Sequence, residues 1–64
     1  MQVIELTTLA FATRRGYLVQ SGEALGQDAH SRDVYVDDDI VVDEIERVAR
    51  GWLVRFHAIH VRPW

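Results

Sequence analysis

The chain has 64 residues, 48% of them hydrophobic, with ten carboxylates, seven arginines, no lysine, no cysteine and a net charge of −3. That length admits one domain, 1–64, with a thin core, because so short a chain buries only about 60% of the surface it exposes unfolded. The composition excludes a disordered tail, a disulfide framework and a thiolate metal site, and no apolar run nears the ~20 residues of a membrane span.

Taken in order, "QVIELTTLAFAT" (2–13) is rich in β-branched residues and predicts a strand. A helix competes there, since Leu6, Leu9, Ala10 and Thr13 share one helical face. Glu5 stands where a secretory leader would be basic, so the expectation is a soluble, cytoplasmic protein without membrane contact. "RRG" (14–16) predicts a turn and "YLVQ" (17–20) a strand. The two glycines and short polar residues of "SGEALGQDAHS" (21–31) predict a loop, with room for a helical turn around Glu23 to Leu25. "RDVYVD" (32–37) alternates, which places Val34 and Val36 on one face of a strand and Asp33, Tyr35 and Asp37 on the other.

A helix is predicted over 39–51, where Val41, Ile45, Val48, Ala49 and Trp52 form one stripe. Asp39 would cap it and Gly51 would terminate it. A rival start at Asp43, with Glu46 three residues on, resembles a capping box and would leave "IVV" in a strand. "WLVRFHAIHVRPW" (52–64) predicts a long strand ended by Pro63, with Trp52, Val54, Phe56 and Ala58 on one face and Leu53, Ile59 and Val61 on the other. The expected fold is therefore α+β: a small three- or four-stranded, mostly antiparallel sheet with one α-helix packed on one face.

No constellation in the chain predicts catalysis. His57 and His60 fall on opposite faces of a strand, no serine sits in a nucleophile elbow, and His30 beside Asp28 and Ser31 is adjacency rather than a triad. The run Asp37, Asp38, Asp39 lacks the glycine and closing glutamate of a calcium loop, so neither a metal nor a cofactor is expected. Arg14, Arg15, Arg55 and Arg62, near Trp52, Phe56 and Trp64, suggest a single-strand-binding surface. Arg55, however, would point away from Trp52 and Phe56.

The strongest feature is "DVYVDDDIVVDEIE" (33–46), which carries seven of the ten carboxylates and none of the arginines. The remaining residues hold three carboxylates against seven arginines, a balance of +4. In a helix, Asp43 would pair with Arg47 and Glu46 with Arg50. Asp33, Asp37, Asp38 and Glu44 would then have no local partner. Clustered like charges lower stability, so such a run serves either solubility or a basic partner. Carboxylates along one element can imitate the phosphates of nucleic acid and gain the same electrostatic steering.

In its small cysteine-free format and this acidic stretch, the chain resembles the phage-encoded anti-CRISPR proteins. The resemblance implies stoichiometric inhibition without turnover: an acidic face that mimics DNA and blocks the nucleic-acid site of a bacterial defence complex. The partner would be a basic nucleic-acid-binding protein or a subunit of a CRISPR surveillance complex, met by a monomer or dimer with no direct nucleic-acid contact. Partner-binding candidates are Asp33, Asp37, Asp38, Asp39, Asp43, Glu44 and Glu46. The alternative is a small regulatory or DNA-binding module, antitoxin-like or a phage transcriptional factor, acting through its arginines.

Overall fold

The computed structural model describes residues 1–59, whose regular elements are all strands. These are β1 (Gln2–Leu6), β2 (Thr8–Leu9), β3 (Leu18–Val19), β4 (Ala24–Gln27), β5 (Asp33–Tyr35), β6 (Ile40–Val48) and β7 (Gly51–Ala58). They form a four-stranded sheet in the order β1-β7-β6-β3 and a three-stranded sheet in the order β2-β4-β5, antiparallel throughout. Expectations placed on His60, Val61, Arg62, Pro63 and Trp64 lie outside the described residues.

The first strand joins the two sheets. β1 runs in unbroken register along β7, from Gln2 opposite Phe56 to Leu6 opposite Trp52. At Thr7 the chain turns into the other sheet, where Thr8 and Leu9 pair with Gln27 and Gly26. Thr7 fixes this corner by donating its N–H to the Gln27 carbonyl and its hydroxyl to the carbonyls of Gln27 and Asp28. Segment 2–13 thus contains two strands, Gln2–Leu6 and Thr8–Leu9, rather than one, and residues 10–13 bend.

The predicted α+β fold is overturned, because the described residues contain no helix and 39–51 forms β6, a tight turn and the start of β7. The cause is a bulge. Val42 faces Phe56 and Glu44 faces Arg55, so Asp43 is an extra residue in the strand. Ile40 and Val42 point into the core before it, and the shift in phase returns Ile45, opposite Val54, to the same face after it. Inward residues at 40, 42 and 45 break the two-residue period and imitate a helical spacing. Val41 and Val48 stand on the outer face, so the predicted stripe does not exist.

A second correction concerns 21–31, read as a loop with a helical turn. Ala24–Gln27 is the central strand of its sheet, and Leu25 is fully buried. Its two glycines hid it. Gly26 adopts φ 157°, and a Cβ there would run into the carbonyl oxygen of Thr8 on the adjacent strand. Gly51 does the same at φ 152° against the carbonyl of Leu6, so it opens β7 instead of closing a helix.

Both sheets turn their inner faces to one core of Leu6, Val19, Leu25, Val36, Ile40, Val42 and Val54. Each such aliphatic side chain contributes about 1.5–3 kcal/mol through burial. Trp52, Phe56 and Ala58 pack against this core from the face of β7 that its alternation predicts, and Val34 does so from β5. Phe11 and Tyr17 close the side near β3, their ring centroids 5.5 Å apart.

Candidate functional site

The acidic stretch is divided between two surfaces. Asp43, Glu44 and Glu46 belong to β6 and the outer face of the four-stranded sheet, where β7 sets basic groups opposite them. Arg55 Nη1 lies 3.4 Å from Glu46 Oε1 and 3.9 Å from Glu44 Oε2. His57 Nδ1 lies 2.8 and 2.9 Å from the two carboxylate oxygens of Asp43. The helical pairs Asp43–Arg47 and Glu46–Arg50 do not form. Arg47 instead lies over the Trp52 ring, 4.7 Å from its centroid. Glu44, expected to lack a partner, has one in Arg55.

The other four acids sit on β5 and the bend that follows. Along β5 and the two residues after it, Asp33, Tyr35 and Asp37 are exposed while Val34 and Val36 turn inward, as the alternation predicts. Tyr35 is 61% exposed, and its hydroxyl donates to Asp33 Oδ2 at 3.4 Å. Gln27 donates its side-chain amide to the other oxygen, Oδ1, so Asp33 too has local partners. Asp39 anchors the bend: its Oδ1 accepts the N–H of Ser21 at 2.8 Å, and its carbonyl accepts the N–H of Ile59. It caps no helix. Among the described residues, the carboxylates of Asp37 and Asp38 alone within 33–46 accept no hydrogen bond and face no cation.

These two acids rim an apolar groove of about 220 Å³ at one end of the core. Ile4, Val34, Val36, Ile40, Phe56 and Ala58 supply most of its wall, with Gln2, Leu25 and Tyr35 completing it. Sequence reasoning singled out the carboxylates but missed the hydrogen bond of Tyr35 to Asp33 and missed the groove. The groove is assembled from β1, β5, β6 and β7, so no local pattern announces it. A second hollow, about 290 Å³, is lined by Glu5, Leu6, Thr7, Ala29 and Arg50, which mix both charge signs.

Among the described residues, Arg14 and Arg55 do not share a surface with Trp52 and Phe56. Arg14 stacks on Tyr17 at 5.3 Å, Arg55 faces Glu44 and Glu46, and Trp52 and Phe56 serve the core. Asp28 accepts the backbone N–H groups of His30 and Arg32, closing a tight loop without engaging the imidazole. Among the described residues, no three His, Asp or Glu side chains converge as a metal site, and no helix is long and apolar enough to cross a membrane. Comparison with protein-family models, with curated proteins and with solved structures finds no match.

Proposed function

We propose that the chain is a non-enzymatic inhibitory binding protein of the anti-CRISPR type. Its acidic edge mimics the nucleic-acid backbone and occupies the nucleic-acid site of a bacterial defence complex, with a CRISPR surveillance complex as the leading partner. One observation carries the reading: Asp37 and Asp38 are exposed, adjacent and, among the described residues, uncompensated beside the exposed Tyr35, whereas the acids of β6 are held by Arg55 and His57. Folding gains nothing from two neighbouring carboxylates with no pair among the described residues, so a cationic partner accounts for them better than stability does. An exposed tyrosine among charges is also the residue type that concentrates binding energy at interfaces. The proposed surface therefore contracts to Asp33, Tyr35, Asp37 and Asp38, with Asp39 positioning the bend.

The test immobilises the chain in lysate of a CRISPR-bearing bacterium, at low and high salt, beside the Asp37→Asn/Asp38→Asn variant. Asp39 is left intact because its carboxylate holds Ser21. The reading expects a nucleic-acid-handling complex retained by the natural chain at low salt, released by duplex DNA, and lost with the variant. Equal retention by the two proteins, or tight binding of free duplex DNA by the chain itself, overturns it.

A further inference from the structure

We infer that the groove beside Asp37 and Asp38 receives an extended basic segment of the partner protein, added as a strand to the outer edge of β1. The inference deepens the proposed function and rests on it for the partner's charge. β1 is the outermost strand of one sheet and β5 the outermost strand of the other. Both line the groove, through Gln2 and Ile4 on one side and Val34 and Tyr35 on the other. Among the described residues, no backbone hydrogen bond joins the two strands.

Edge strands are commonly blunted by proline, a bulge or repeated charge. β1 has neither proline nor bulge, and Glu5 is its single charge. Val3 is 54% exposed on its outer face. An added strand would gain main-chain hydrogen bonds along this edge, and alternate side chains would point into the groove. About 220 Å³ is smaller than the ~300–1,000 Å³ typical of small-molecule pockets, which suits one apolar side chain better than a whole ligand. Asp37 and Asp38 at the rim then select arginine or lysine beside that side chain.

The test uses a capped peptide of alternating arginine and leucine and two analogues, each N-methylated at one alternate set of amides. Binding is read by fluorescence polarisation, and the site by amide shifts in the full chain. Strand addition expects one analogue to bind like the parent and the other at least about tenfold more weakly, because only one set of amides faces β1. Shifts should centre on Gln2 to Ile4 and Val34 to Asp38, and Asp37→Asn/Asp38→Asn should weaken the parent. Equal binding by both analogues overturns strand addition. So does failure of the parent peptide to bind, and if the chain still displaces DNA from its partner, the acidic-edge reading survives that failure. A dimer in sedimentation that dissociates on Val3→Lys would assign the edge to a second copy and also overturn the inference.

Discussion

Asp43, the extra residue of the β6 bulge, holds His57 of the neighbouring strand through both carboxylate oxygens. A carboxylate only accepts, so the imidazole carries its proton on Nδ1. The residue has two separable roles, its side chain gripping β7 and its backbone resetting the phase of β6. Replacing the side chain, as Asp43→Ala, leaves the bulge in place. It should cost under about 1 kcal/mol, since the pair is solvent-accessible. Deleting residue 43 removes the bulge but leaves Val42 opposite Phe56, Glu44 opposite Arg55 and Ile45 opposite Val54, so Ile45 stays inward and the deletion should likewise cost under about 1 kcal/mol. Urea unfolding of the two variants checks this, and a loss on the order of 2–3 kcal/mol from the deletion, as if Ile45 had left the core, would contradict it.

Gly26→Ala and Gly51→Ala should each destabilise by more than about 2 kcal/mol, because backbone strain adds to collision with a neighbouring strand's carbonyl. Gly16 also has positive φ, at 78°, but nothing lies within 4 Å of its would-be Cβ. Gly16→Ala should cost only about 1 kcal/mol, the conformational term without the clash. Thermal unfolding of the three variants should rank them in that order.

Asp28 makes stability depend on acidity. The N–H of Arg32, and then that of His30, hold its carboxyl below the ordinary 3.8. A carboxyl with its folded value depressed stabilises the fold fully above the unfolded value and stops doing so as pH falls through the folded one. Asp28→Asn should therefore be less stable than the natural chain at pH 6. The difference should shrink below about pH 3.8. Denaturant midpoints from pH 6 to pH 2 give the comparison, and a gap that stayed constant would remove Asp28 from the account.

Arg47 is predicted to stabilise through Trp52 rather than through a carboxylate. Arg47→Ala should cost about 0.5–1 kcal/mol with little dependence on salt concentration, whereas Arg55→Ala, which breaks contacts to Glu44 and Glu46, should lose its effect in high salt. Stability curves at two salt concentrations separate them.

Where alternation holds, the local sequence is enough. Val34 and Val36 against Asp33 and Tyr35, and Val54 and Phe56 against Arg55, take the faces their spacing implies. It misleads at Asp43, whose bulge turns a strand's period into an apparent helix, and around Gly26, where close strand contact requires a residue that reads as a loop. The acidic run was visible as charge, but its partition was not. Arg55 and His57 reach Glu44, Glu46 and Asp43 across a hairpin, and the groove beside Asp37 gathers residues from both ends of the chain.

The most direct measurement titrates purified CRISPR surveillance complexes, holding labelled target duplex, with the natural chain and with Asp37→Asn/Asp38→Asn. Losing two carboxylates that have no partner among the described residues should change stability by less than about 0.5 kcal/mol, so both proteins enter the assay folded. The account predicts that the natural chain displaces the duplex from at least one complex, while the variant needs at least about tenfold more protein and high salt weakens both. Equal displacement by the two proteins, or none by either across the complexes, would contradict it.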